Sequence, residues 1–180
     1  MRLPSILSRS DFAAPELSAL VLDGEAYRVD DCVAPLDEIS GPIQRAAALA
    51  TEIPARLIAE QHSAAWIWGA QSGPPRRHEV CADITARARP ALGAQLALRE
   101  VVLLHDDTIV LAGLAVTTPM RTAIDLARFV ADWNDTEAEI LRALLSLGRT
   151  SILDCARVMN RRRNLPNKRI ALERLAASQS

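Results

Sequence analysis

The apolar residues of this chain change their period twice, and that constrains the fold more than any other feature. From residue 43 to 69 they recur at helical spacing. From 79 to 117 they alternate with polar residues or run in short blocks, and from 119 onward helical spacing returns. Such a pattern builds helices around a small sheet. The 180 residues suffice for one domain with a proper core or for two small ones. With 49% hydrophobic and 24% charged residues, a disordered chain, a collagen and a coiled-coil rod are excluded.

The sheet is expected to have three or four strands: Glu79–Ile84, Arg99–His105, Thr108–Leu111 and Leu114–Thr117, the last two turning at Gly113. Ahead of it Ile43–Thr51 reads as a helix, and Ala55–Gly69 as one or two helices with Gly69 as the C-cap. Behind it Thr118-Pro119 places a hydroxyl at an N-cap and proline in the first turn. Asp135 or Thr136 opens the next helix, Thr150 or Ser151 another, and Asn167–Ala177 is the last. The opening reads as helix, helix, hairpin: the amphipathic Pro4–Ser10, a helix Pro15–Leu22 with Asp11 as its cap, then strands Glu25–Val29 and Cys32–Ala34. The expected fold class is α/β of the α+β kind. A short, degenerate winged-helix-like module spans 1–38, and an α+β domain with basic C-terminal helices spans 39–180.

A net charge of −1 hides a strong dipole. Residues 1–40 carry three basic against eight acidic side chains, and residues 141–180 carry nine against two. Arginine forks donate bidentately to phosphate, so Arg157, Arg161, Arg162, Arg163, Lys168 and Arg169 form a candidate nucleic-acid surface. In the opening module only Arg9 and Arg28 favour phosphate. Its candidate recognition helix carries Glu16 and no basic residue, which suits a groove reader poorly.

Catalytic chemistry finds no support. Phosphate-cradling glycine loops, the dinucleotide fingerprint and the hydrolase elbow are absent from the sequence. His62, His78 and His105 are well separated, and His78 with Cys81 would need two further ligands, so no metal and no cofactor are expected. Asp83 and Glu100 fall on strands, but the one lysine, Lys168, lies far off in the tail; they read as the solvated face of alternating strands. Three isolated cysteines, Cys32, Cys81 and Cys155, fit a reducing cytoplasm. No stretch approaches the roughly 20 apolar residues of a membrane span.

The run Val116-Thr117-Thr118-Pro119-Met120-Arg121-Thr122-Ala123-Ile124-Asp125-Leu126-Ala127 resembles the V-T-[TS]-P-x-R-T-x-x-D-L-A signature of the AbiEi-type antitoxins of type IV toxin–antitoxin systems. Ser63-Ala64-Ala65-Trp66-Ile67-Trp68-Gly69 is similar to the family's S-A-A-x-x-x-G helix. Gly113-Leu114-Ala115-Val116 resembles its G-[IL]-x-V passage, and Asn164–Arg169 its C-terminal helix break. The resemblance covers roughly 55–177. It implies a non-enzymatic protein that counteracts a nucleotidyltransferase toxin without a stable complex and represses its own operon by binding operator DNA. The alternatives are a stand-alone DNA-binding regulator related to an endonuclease-linked group, or a protein-interaction module whose DNA binding has been lost. Thr118, Arg121, Thr122 and Asp125 form the family motif. Arg121 and Asp125 stand four apart on one helix face, within ion-pair reach, so the motif is either antitoxin surface or scaffold. The oligomeric state is left open.

Overall fold

The computed structural model describes residues 4–86, 96–162 and 164–178. Pro4–Ser10 does not form the expected helix. Leu7 makes an antiparallel bridge to Val33, exchanging backbone hydrogen bonds at 2.8 and 3.0 Å. Asp11 turns back to accept from the Ser8 amide at 2.9 Å, so it closes this local turn and does not cap the next helix. Helix α1, Ala14–Leu22, has Ala13 at its N-cap, where the Glu16 carboxylate accepts from the Ala13 amide at 2.8 Å. Strands β1, Ala26–Val29, and β2, Cys32–Pro35, form a hairpin in register Val29 to Cys32, with Asp30 in the left-handed region at φ 58°. The described residues thus place one helix ahead of the hairpin, not two.

Among the described residues the main sheet has five strands, more than the expected three or four, in the order β5-β4-β3-β7-β6. Helix α2, Pro42–Ala50, precedes β3, Ile58–Ala59, and α3, Gln61–Trp68, ends at Gly69 with φ 85°. Strands β4, His78–Asp83, and β5, Leu96–Val101, run parallel. Strands β6, Thr108–Leu111, and β7, Leu114–Thr117, form an antiparallel hairpin. Its central residues Ala112 and Gly113 both take positive φ, 46° and 84°, as the right-handed twist of a two-residue hairpin demands. The unexpected strand is β3. Two residues long, it pairs antiparallel with β4 and parallel with β7 and so joins the two halves of the sheet.

Four helices follow: α4, Pro119–Phe129; α5, Asp135–Leu147; α6, Ile152–Arg161; and α7, Lys168–Ala177. The α5 cap is Asn134, one residue ahead of the expected position, accepting from the Glu137 amide at 3.2 Å. Ser151 and Asp154 cap α6 reciprocally, with bonds of 3.1 and 3.0 Å. Two cores result. One joins the sheet and α2 to the first hairpin through Val29, Cys32, Ala34, Leu49, Val80 and Val116. The other packs α4 to α7 around Leu126, Leu141, Leu144, Cys155, Met159 and Leu175. Among the described residues no helix is long and apolar enough to cross a membrane.

Candidate functional site

Helix α4 belongs to the helical core and follows directly on β7 of the sheet core, and its first turns carry charge into the interior. Thr118 caps the helix, its hydroxyl accepting from the Arg121 amide at 3.4 Å. Thr122, fully buried, donates its hydroxyl to the Thr118 carbonyl at 2.9 Å and lies 2.7 Å from the Thr117 hydroxyl. These bonds lock the strand-to-helix corner between β7 and α4. Arg121 Nε then donates to Asp125 Oδ2 at 2.7 Å, the i,i+4 contact that the spacing allows.

Asp125 is 0% exposed and does not stop at one partner. Arg128 Nη1 donates to its Oδ1 at 2.9 Å, and Arg99 Nη2, from β5, to its Oδ2 at 3.2 Å. Arg99 also forks onto Glu60, a buried carboxylate at the N-terminus of α3, with its Nε at 3.0 Å. Arg121 reaches on to Asp107, which also accepts from Arg162 Nη2 at 2.9 Å and from the Leu104 amide at 2.9 Å. The result is one continuous network from β5, the turn before β6, α3, α4 and the end of α6. Asp125, Glu60 and Arg121 are almost closed off from water and Arg99 and Arg162 only partly, so the buried charges rely on their opposite partners for compensation. The chain is long between its members: Glu60 and Arg99 are 39 residues apart, Asp107 and Arg162 are 55.

The network floors a cavity of about 520 Å³. Arg99, Arg121, Arg128 and Arg162 line it together with Val102 and Phe129. The Phe129 ring carries the Arg99 and Arg128 guanidinium groups at 4.0 and 4.4 Å from its centre, which fixes their planes.

Two further polar clusters escaped the sequence reading. His62 lies between Glu79 and Glu137, at 2.9 and 3.1 Å. Burial works against its charge, but the two carboxylates outweigh burial and raise it to about 9. His78 spans Asp30 Oδ2 at 2.9 Å and Ser63 Oγ at 3.1 Å, joining the first hairpin to α3. That order of groups resembles a nucleophile relay. Ser63, however, is 0% exposed and accepts from the Glu79 amide at 2.8 Å, so no substrate can reach it. Asp83 takes the Thr85 amide and hydroxyl at 2.8 and 2.6 Å in a local turn, and Glu100 is exposed. The three cysteines are free and buried, and burial pushes the Cys81 thiol far up. Among the described residues no cluster of metal-ligating side chains occurs.

The arginines of the basic tail divide. Arg161, Arg157 and Arg169 are exposed, the latter two paired to Asp154 at 2.8 Å and to Glu173 at 3.2 Å. Lys168 is half-buried at the start of α7, and Arg162 turns inward to Asp107. Arg163 lies outside the described residues. In the first module Arg9 and Arg28 are both exposed. Glu60, Arg99, Asp107 and Arg128 were not singled out from the sequence as members of a site. The one available signal was Glu60 itself, an acid closing the apolar run Leu57-Ile58-Ala59 just ahead of a helix.

No curated protein matches the chain. A crystal structure of the RV2827C protein from Mycobacterium tuberculosis is similar at 17% identity, covering 97% of this chain and 75% of that one, with a TM-score of 0.38. The AbiEi antitoxin C-terminal domain matches residues 55–149, more than half of the chain, from just ahead of β3 through α5. That span holds the Thr118–Asp125 corner, Glu60, Arg99 and Asp107, and on this match the chain belongs to the AbiEi antitoxin family.

Proposed function

We propose that this member of a toxin–antitoxin system counteracts a nucleotidyltransferase toxin of the type IV kind, without a stable complex, and represses its own operon by binding operator DNA. The match of residues 55–149 to the antitoxin C-terminal domain carries the reading. The family is one of non-enzymatic regulators. In this proposal residues 39–180 act as the antitoxin domain in the cytoplasm. Exposed Arg157, Arg161 and Arg169, with Lys168, supply phosphate contacts, and residues 1–38 with Arg9 and Arg28 supply what sequence preference there is. The test is co-expression with a nucleotidyltransferase toxin of the type IV kind, followed by purification of the two proteins. Restored growth without co-elution supports the proposal, and unrelieved toxicity overturns it.

A second reading, an interaction module that has lost DNA binding, draws on α1, which carries Glu16 and no basic residue. Salt-titrated binding to the DNA upstream of the gene separates the two. Affinity that falls steeply with salt supports the repressor, and the absence of binding at low salt leaves the interaction module.

A further inference from the structure

The arginine-floored cavity is not explained by scaffolding alone. Counting donors shows why. Arg99 commits Nε and Nη2, Arg121 commits Nε and Nη1, Arg128 commits Nε (to the Pro166 carbonyl at 3.0 Å) and Nη1, and Arg162 commits Nη2. Four terminal nitrogens, Arg99 Nη1, Arg121 Nη2, Arg128 Nη2 and Arg162 Nη1, have no protein partner among the described residues, and all four residues line the same cavity. Arg162 Nε is in addition the buried side-chain nitrogen left without an acceptor. The four terminal nitrogens are open to the cavity's solvent, so an anion that enters can take their hydrogen bonds, while the buried Arg162 Nε stays without one.

Charge balance points the same way. The four guanidinium groups face three network carboxylates, Glu60, Asp107 and Asp125, which leaves a surplus of one positive charge. Burial, with Arg121 and Arg99 pressing in the same direction, pulls Arg128 below the ordinary arginine range in spite of Asp125. Exposed Glu100 also lines the cavity and is the remaining acid there.

We propose that this cavity binds a small phosphomonoester carried on a flat or apolar group, of the size of a nucleoside monophosphate, through the uncommitted nitrogens of Arg99, Arg121, Arg128 and Arg162. A planar carboxylate needs only one guanidinium fork; four cations lining one cavity fit the three terminal oxygens of a phosphate better. A bare phosphate would leave most of the roughly 520 Å³ empty. The remaining walls, Val102, Leu104, Phe129, Leu165 and Pro166, are apolar and suit a base or similar ring. This site is separate from the exposed arginines assigned above to DNA, and it stands or falls independently of that assignment.

The experiment is calorimetric titration of the full chain with three probes: inorganic phosphate, a panel of nucleoside 5′-monophosphates, and the same nucleosides without phosphate. The expected order is monophosphate tightest, inorganic phosphate weaker by at least about tenfold, and nucleoside without saturable binding. Val102→Trp narrows the cavity and leaves every ion pair in place; it should abolish monophosphate binding while inorganic phosphate still binds. Arg162→Gln, titrated at a temperature where its melting curve shows it folded, should weaken both phosphate probes by about tenfold. No saturable binding of any probe overturns the proposal. So does a nucleoside binding as well as its monophosphate, or binding that is unchanged in both variants.

Discussion

Arginine plays two opposite parts in this chain, and the contrast between the Asp125 network and the tail shows how little a charge count reveals. Arg121 is 4% exposed and bonded to two carboxylates, whereas Arg157 is 68% exposed and holds one exposed partner. Written in the sequence, both are an arginine a few residues from an aspartate. The first sits where water cannot compensate for a lost partner, so its bonds are structural. The second sits where water always can, so its pair contributes little to stability and its charge remains available to phosphate. Arg162 crosses the boundary: it belongs by sequence to the basic tail and by geometry to the network.

The sharpest way to break the contrast is to remove the acid that three arginines share. Asp125→Ala leaves Arg99, Arg121 and Arg128 without their common acceptor and is expected to cost about 3–5 kcal/mol in urea unfolding. A loss below about 1 kcal/mol would mean that the network is solvated after all.

A second buried cluster carries a pH signature. His62 has its folded value raised from the ordinary 6.5 to about 9, so the stabilisation from Glu79 and Glu137 is fully present below pH 6.5. It is lost as pH rises from 6.5 through about 9, where the folded chain also releases the proton. After allowance for partial exposure the loss is on the order of 2 kcal/mol. His62→Gln should flatten the stability profile in that window, measured by urea midpoints across pH.

The smallest effects on stability, and the clearest division of roles, come from the tail. Arg162→Gln should cost about 1–2 kcal/mol, because Asp107 loses one of its charged donors, and should leave the salt dependence of DNA binding nearly unchanged. The double variant Arg161→Ala with Arg169→Ala should melt like the parent, yet lower the slope of log affinity against log salt by about 0.9 for each lost contact. A reversal of the two patterns would place the DNA contact inside the network.

Local structure was largely legible in the sequence because local chemistry decides it. The Thr118-Pro119 start, the Ser151 cap, the left-handed Gly69 and the hairpin at Gly113 each depend on residues within one turn of chain. So does the Arg121–Asp125 pair, whose spacing is one helical turn. The exceptions have the opposite cause. Strand β3 is two residues whose extended form exists only because β4 and β7 flank it. Pro4–Ser10 looks amphipathic, but Val33 offers Leu7 a backbone partner and Asp11 ties up the Ser8 amide. The convergence of Glu60, Arg99, Asp107 and Arg162 on α4 depends on contacts across tens of residues. An isolated charge in sequence looks the same whether it ends in water or in a core.

The most direct measurement is made on one variant, Arg121→Ala, with two readouts: the thermal midpoint of the purified chain and growth rescue against a nucleotidyltransferase toxin of the proposed kind. The signature arginine is buried and bonded to Asp125 and Asp107, so both readouts are expected to fall together. Rescue lost with the midpoint unchanged would contradict it. That result would make Arg121 part of the surface that opposes the toxin and not the beam that holds the fold around it.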